Sequence, residues 1–130
     1  MKSILVCAAV IVRDGMVLVT TRPPGQEMSG SWEFPGGKIE PGESPGECLK
    51  REIKEELDLD IMVFDTMFMS EYEYPGKKVH LRFMRCQAVP GPLDPKPLDG
   101  QEWAWVKCSS LPEIALLPAD KPFADFLAYF

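Results

Sequence analysis

The sequence predicts an α/β fold in which a mixed central β-sheet lies between helices. Apolar, β-branched runs at residues 4–12 and 16–21 flank an Asp-Gly turn and are typical of paired strands. A segment that begins after Ser44 carries apolar residues at helical spacing, and the chain ends in a second such segment. Strands on both sides of a central helix, with another helix at the end, favour a sheet covered by helices.

The remaining elements follow from turn residues and from the spacing of apolar residues. We predict strands at residues 4–12, 16–21, 32–34, 61–74, 78–89 and 103–106. Helices are predicted at 45–57, 111–116 and 121–129, and turn-rich loops at 23–31 and 90–100. The first run is nearly continuous in apolar residues, so we expect that strand to be buried on both faces. No linker or repeat divides the chain, and we expect one domain over residues 1–130.

Composition limits the possible partners. The chain has 130 residues, a net charge of −6 and no basic run, which argues against binding to long nucleic acid or to an anionic membrane. Its four cysteines show no metal-ligand spacing, so we expect reduced, buried thiols in a cytoplasmic protein. No apolar run is long enough to span a membrane. We expect a monomer or a weak homodimer.

The first predicted helix carries its own start signal. Ser44 is a good N-cap, Pro45 suits the first helical position, and Glu47 completes a capping box. Apolar residues recur every four positions and form one stripe: Leu49, Ile53 and Leu57. The stripe predicts the buried face of the helix.

Three glutamates share another face of this helix: Glu52, Glu55 and Glu56. Carboxylates this close repel one another, and a divalent cation would remove the repulsion. Clusters made only of oxygen ligands suit Mg²⁺, Mn²⁺ or Ca²⁺. On the helix alone, a solvated face is the alternative, with i,i+4 partners among Lys50, Arg51 and Lys54.

The spacing of these residues resembles the signature box of the Nudix hydrolases. Gly37 is followed by five residues, Glu43, seven residues, and then Arg-Glu-Ile-Lys-Glu-Glu at 51–56. Six of the seven fixed letters of the box are present. The seventh is a glycine that ends the helix in a left-handed conformation, and this chain has Asp58 there. Asp tolerates that conformation better than most residues, so the substitution bears on the helix end and not on the carboxylates.

The resemblance extends to the MutT-like branch, through residues 32–43 (WEFPGGKIEPGE) and the Pro-Ala-Asp of 118–120. It implies a Nudix α/β/α sandwich. It also implies that Mg²⁺, or Mn²⁺ as a substitute, is held by the Gly37 carbonyl, Glu52, Glu55 and Glu56. In such boxes the residue at Arg51 orients the glutamates by ion pairing.

The resemblance also assigns residues outside the box. A carboxylate in the late loop, acting as metal ligand or base, matches Asp99, with Glu102 as the competing choice. Arg22 matches a basic residue that grips phosphate, and an ordinary strand-end arginine is the alternative. Glu33 and Lys38 are assigned to substrate binding.

The resemblance implies cleavage of nucleoside triphosphates. Water attacks the β-phosphorus and leaves a nucleoside monophosphate and pyrophosphate. Removal of oxidised nucleotides such as 8-oxo-dGTP is the leading role, and a preference for CTP, dCTP or 5-methyl-dCTP is the alternative. Two further alternatives are a Nudix hydrolase of another nucleoside diphosphate derivative and a non-catalytic nucleotide-binding module.

Asp120 lies where the MutT-like branch places a residue that reads the base. An ionised Asp accepts hydrogen bonds and cannot donate, so it favours the cytosine N4 amine or the N7–H of 8-oxoguanine over guanine. The alternative role is an N-cap of the last helix. Trp32 or Phe34 is predicted to supply a stacking face for the base, and core packing is the alternative for Phe34.

Overall fold

The computed structural model describes residues 2–89 and 95–129. The strands within these residues are β1 (Lys2–Arg13), β2 (Met16–Thr21), β3 (Trp32–Glu33), β4 (Gly36–Lys38), β5 (Ile61–Tyr74), β6 (Lys77–Ala88) and β7 (Trp103–Lys107). The α-helices are α1 (Pro45–Leu57) and α2 (Lys121–Leu127), and 3₁₀ turns cover Cys108–Glu113 and Pro118–Asp120.

The strands form one mixed sheet. Their order is β3-β2-β1-β6-β5, with β4 added to β1 and β7 added to β2. β1 and β6 run parallel, and the other strand pairs are antiparallel. The predicted mixed sheet is therefore confirmed.

Strand β1 separates two cores. Residues 7–11 are buried without interruption, as the continuous apolar run predicts. Ala8 and Val10 join the core that contains Phe123 of α2. Cys7 and Ile11 join the other core, with the apolar stripe of α1. Because α1 and α2 pack on opposite faces of the sheet, the α/β/α sandwich is also confirmed.

Helix α1 begins and ends as the sequence predicts. The Ser44 hydroxyl accepts from the Glu47 amide at 3.1 Å, and the Glu47 carboxylate accepts from the Ser44 amide at 2.9 Å. At the other end, Asp58 is left-handed, with φ 53° and ψ 38°, and its N–H donates to the Lys54 carbonyl. Asp58 thus adopts the conformation for which the family uses glycine.

Some elements differ from the prediction. Strand β4 was not predicted; it pairs with β1 because Gly36 has no Cβ, which would overlap the Cys7 carbonyl. The helix predicted at 111–116 is a 3₁₀ turn over Cys108–Glu113, with Pro112 inside it. Helix α2 ends at Leu127, and part of the loop predicted at 90–100 lies outside the described residues.

The cysteines match the prediction, since Cys7, Cys48, Cys86 and Cys108 are all buried and free. Among the helices of residues 2–89 and 95–129, none combines the length and the apolar character needed to cross a membrane.

Candidate active site

A cleft of about 820 Å³ opens beside the carboxylate face of α1. Strands β1, β2 and β4, the loop after β2 and the turn before α2 all contribute to it. Most of the predicted site residues line this one cleft: Arg22, Glu33, Phe34, Gly37, Lys38, Glu52, Glu56, Asp99 and Asp120. Residues from both ends of the sequence therefore meet in a single cavity.

Three predicted site residues do not line the cleft. Glu55 lies on the exposed side of α1, with 60% of its side chain accessible. Trp32 belongs to β3, packs against the α2-side core and donates its backbone N–H to the Ala115 carbonyl at 2.9 Å. The structure therefore packs the half-buried Trp32 against the core, and its role as a stacking face stays a prediction. Arg51 lies behind the carboxylates, where it contacts several of them.

Arg51 is the centre of an ion-pair network at the start of the cleft. Its Nε donates to Glu43 Oε2 at 2.7 Å, and its Nη1 donates to Glu52 Oε1 at 2.8 Å and to Glu55 Oε2 at 3.3 Å. Its Nη2 donates to the Lys38 carbonyl at 3.2 Å. One guanidinium thus contacts three box glutamates, Glu43, Glu52 and Glu55, and ties α1 to β4.

Glu52 packs against β4. A Cβ on Gly37 would overlap the Glu52 carboxylate, so only glycine leaves room for this side chain. The close contact places the Glu52 oxygens beside the β4 backbone, where the resemblance puts a carbonyl ligand. This packing explains why the box has a glycine at position 37.

The carboxylates of the cluster differ in their proton affinity. The Arg51 hydrogen bond lowers the pKa of Glu43 to about 2. Burial raises the pKa of Glu56, and the nearby charges of Glu52, Glu33 and Asp99 raise it further. Arg51 therefore compensates the charges of the glutamates that it contacts, whereas the negative charges of Glu52, Glu33 and Asp99 surround Glu56 inside the cleft.

The structure distinguishes between the two acidic residues of the late loop. Asp99 lines the cleft and its charge acts on Glu56. Glu102 is exposed, and its backbone pairs with the end of β2, through Thr21 N to Glu102 O at 2.9 Å. Asp99, and not Glu102, is therefore brought to the carboxylate cluster.

The donor set of the cleft fits a hard divalent cation. Within residues 2–89 and 95–129, no group of three or more His, Cys, Asp or Glu side chains is arranged so that it could hold a metal ion. The residues present are nevertheless carboxylates and a backbone strand that Gly37 leaves open to the Glu52 carboxylate. Oxygen donors with uncompensated negative charge are what Mg²⁺ and Mn²⁺ prefer.

Asp120 lies at the other end of the cleft and is only 3% exposed. Its Oδ2 accepts from the Phe34 amide at 3.0 Å. Its side chain makes no capping hydrogen bond to α2, so the helix-cap interpretation is wrong. The Phe34 ring packs edge-to-face on Phe83 and Phe123, which explains why Phe34 serves the core while its amide orients Asp120.

The protonation state of Asp120 corrects the sequence-based expectation. Burial raises the pKa of Asp120 to about 8, and the negative charge of Glu33 also raises this pKa. The hydrogen bond from the Phe34 amide and the positive charge of Arg22 act in the opposite direction and lower it. The sequence argument assumed an ionised carboxylate, whereas a carboxyl group with a pKa of about 8 is mostly protonated at pH 7. A neutral carboxyl group has an O–H donor as well as an acceptor oxygen.

Arg22 and Glu33 lie between the two ends of the cleft. Arg22 Nη1 is 3.6 Å from Glu33 Oε1, and Arg22 Nε donates to the Glu27 carbonyl at 3.2 Å. Burial raises the pKa of Glu33 to about 7, although Arg22 lowers it. The positive charge of Arg22 thus faces the cleft from the end of β2.

Comparison with known proteins identifies the family. The NUDIX domain model matches residues 3–130. The chain belongs to the Nudix family.

Its relatives indicate which kind of Nudix hydrolase it is. The CTP pyrophosphohydrolase of Escherichia coli K12 is 35% identical over 125 residues, which cover 96% of this chain and 91% of that protein. The 8-oxo-dGTP diphosphatase of Haemophilus influenzae is 35% identical over 121 residues, covering 92% and 88%. The solution structure of the E. coli ORF135 protein, 35% identical, superposes with a TM-score of 0.82 over 98% of this chain and 91% of that one. The protein is a Nudix hydrolase of the MutT type.

This Nudix cleft also contains residues that the sequence argument did not assign. Tyr74 ends β5, Lys77 begins β6, and Gln101 comes from the loop that carries Asp99. Gln101 is only 6% exposed, although glutamine is usually a surface residue. Its place between an Asp-Gly turn and the strand at Trp103 is the one local signal that the sequence offered.

Proposed function

We propose that this Nudix hydrolase cleaves (deoxy)nucleoside triphosphates to a monophosphate and pyrophosphate, with Mg²⁺ as its cofactor and 8-oxo-dGTP as its leading substrate. One observation carries the proposal. A single cleft holds the box glutamates Glu52 and Glu56 at one end and a buried acid, Asp120, at the other. A nucleoside triphosphate is divided in the same way, with the charged triphosphate at one end and the hydrogen-bonding groups of the base at the other.

The charged end suits the triphosphate. Glu52, Glu56 and the Gly37 carbonyl would hold the cation, with Glu55 and Asp99 as the other predicted ligands. When bound, the ion supplies positive charge against the phosphate oxygens. Arg22 and Lys38 line the cleft and add positive charge to the same task. A carboxylate of the cluster accepts the proton of the attacking water.

The base end suits a base edge with one donor and one acceptor. The neutral Asp120 carboxyl group can donate through O–H and accept through its other oxygen. 8-Oxoguanine presents the O6 acceptor beside the N7–H donor and satisfies both. Guanine presents two acceptors, O6 and N7, so only one of them finds a partner.

Cytosine triphosphates are the second candidate. Cytosine presents the N3 acceptor beside the N4 amine, and this pair matches a neutral carboxyl group as well as 8-oxoguanine does. The similarity to a CTP pyrophosphohydrolase over 96% of the chain favours this candidate specifically. The alternatives share the chemistry at the phosphates and differ only in the base.

The test is a turnover panel. We expect kcat/KM for 8-oxo-dGTP, or failing that for CTP, dCTP or 5-methyl-dCTP, to exceed that for dGTP, and EDTA to abolish turnover. In ¹⁸O-labelled water the label should enter pyrophosphate, because attack is at the β-phosphorus. Label in the monophosphate would contradict the proposed bond cleavage. Faster turnover of a nucleotide sugar or a dinucleotide than of any triphosphate would contradict the proposed substrate class.

A further inference from the structure

The loop at residues 95–101 brings Asp99 to the carboxylate cluster. In the part of the chain that the structure describes, no hydrogen bond or ion pair holds the Asp99 carboxylate itself. Its position is therefore set by the backbone on either side of it. Two sets of contacts define that backbone.

The first set joins the loop to α1. The Lys96 N–H donates to the Leu57 carbonyl at 2.8 Å, and the Leu98 N–H donates to the Glu56 carbonyl at 3.0 Å. These carbonyls are at the end of the helix, where no further turn supplies a donor. The backbone of Leu98, the residue before Asp99, is thereby bonded directly to the backbone of the box glutamate Glu56.

The second contact comes from Gln101. Its side-chain Oε1 accepts from the Asp99 N–H at 3.1 Å, and burial of the side chain holds this oxygen in place. The residue between them, Gly100, has φ 78° and is conformationally permissive. Among the described residues, the next anchor on this side is Glu102, whose backbone bonds to Thr21 beyond the permissive Gly100.

We propose that Gln101 is a positioning residue for Asp99: it holds the Asp99 backbone so that this short carboxylate reaches the cation site. Asp is one methylene shorter than Glu, so its reach depends more on where the backbone lies. Gln101 acts through Asp99 and need not touch the substrate. The inference rests on the proposed function, since it assigns Asp99 a role at the cation.

The test is a double-mutant cycle of Asp99→Asn and Gln101→Leu, with Mn²⁺ affinity as its main measurement. The electron paramagnetic resonance signal of free Mn²⁺ gives that affinity without any nucleotide. Each single variant should bind Mn²⁺ about ten- to a hundredfold more weakly, as for other residues that orient metal ligands. The double variant should bind no more weakly than Asp99→Asn alone, because the second effect passes through the first.

Two controls keep the outcome interpretable. Gln87→Leu changes an exposed glutamine on β6 and should leave Mn²⁺ affinity unchanged. Gln101→Glu keeps an acceptor for the Asp99 N–H, so it should retain Mn²⁺ affinity even if Gln101→Leu fails to fold. The inference would be overturned if the losses of Mn²⁺ affinity multiplied in the double variant, or if either Gln101→Leu or Asp99→Asn left the affinity unchanged. It would also be overturned if Gln101→Glu lost as much affinity as Gln101→Leu.

The same variants separate this inference from the proposed function. If the wild type cleaves no nucleoside triphosphate while the Mn²⁺ cycle shows the coupling, the proposed function fails and the role of Gln101 stands. If the wild type cleaves triphosphates but the cycle is multiplicative, the role of Gln101 fails and the proposed function stands.

Discussion

The two ends of the cleft are built in opposite ways. At the carboxylate end, Glu52 and Glu56 stand on one helix, and Arg51 of the same helix binds Glu52 at 2.8 Å. At the base end, Asp120 binds the Phe34 amide across 86 residues of sequence. The carboxylate end is a local structure whose charge Arg51 compensates in part, whereas the base end is a buried acid held by tertiary packing.

Under the proposed function, this difference separates the chemistry from the choice of base. The carboxylate end would act on the phosphates, which every nucleotide shares. The hydrogen-bonding groups at the base end would act on the one part that varies. Changes at the first end should therefore alter the rate for all substrates alike, and changes at the second should alter their ranking.

The strongest test of this separation is Glu56→Gln, which keeps the side-chain volume and removes an ionisable carboxyl group. We expect kcat to fall at least about a hundredfold for every triphosphate, the scale for losing a key electrostatic or proton-accepting group. The ranking of the bases should stay the same. The melting temperature should not fall, because Gln keeps the volume and cannot ionise in a buried cluster where burial and the Glu52 charge already disfavour the ionised form. Glu113→Gln, an exposed position after β7, is the control. Wild-type activity in Glu56→Gln would remove this residue from the site.

Gly37→Ala tests the backbone of the same end. The added Cβ would displace the Glu52 carboxylate, which is the free end of a flexible side chain. We expect activity to fall about ten- to a hundredfold, as for a small misplacement of a reacting group, with little change in melting temperature. The matched control is Gly46→Ala on α1, where the new Cβ meets only Val63 at 3.9 Å. That variant should be more stable by about 0.5–1 kcal/mol and fully active. Equal losses of activity in both variants would contradict the role of Gly37.

Asp120→Asn tests the base end. Above its pKa of about 8 the Asp120 carboxyl loses its O–H donor, so discrimination against dGTP should increase with pH in the wild type. Asn keeps a donor at every pH. The variant should therefore resemble the wild type near about pH 6 and tolerate dGTP better near about pH 9, by about 1–3 kcal/mol. The measurement is kcat/KM for 8-oxo-dGTP, dGTP, CTP and dCTP at both pH values. An equal loss for all four, independent of pH, would mean that Asp120 does not read the base.

The smallest expected effect is on stability. The pKa of Asp120 is raised from 3.8 to about 8 by folding, so between these values the folded state holds a proton that the unfolded state releases. The contribution of Asp120 to the free energy of unfolding therefore falls as pH rises through that range. Asp120→Asn removes the dependence and should raise the melting temperature by about 3 °C or more at about pH 8.5, and by less at about pH 5. A difference that does not change with pH would contradict a neutral, buried Asp120.

The sequence predicted the helix of the carboxylate end because its information is local, although Glu55 lies outside the cleft. Helical spacing alone places Glu52 and Glu56 on one face, and the capping box at Ser44 fixes where the helix begins. Asp120 was assigned to the base, but its neutral state could not be inferred, because its burial depends on packing from distant segments. The same limit explains why Gln101, which is buried by packing between distant segments, was not assigned.

The backbone bonds between the late loop and α1 have a consequence for how the site opens. Lys96 and Leu98 supply the amides that satisfy the carbonyls of Leu57 and Glu56. If the loop detaches, those carbonyls lose their donors and the last turn of the helix frays with it. The two segments should therefore form one cooperative unit, and the amides of Lys96, Leu98 and Asp58 should exchange with solvent deuterium at a common rate. Under the proposed function, loss of these bonds would release two of the predicted cation ligands together, Asp99 of the loop and Glu56 of the last helical turn.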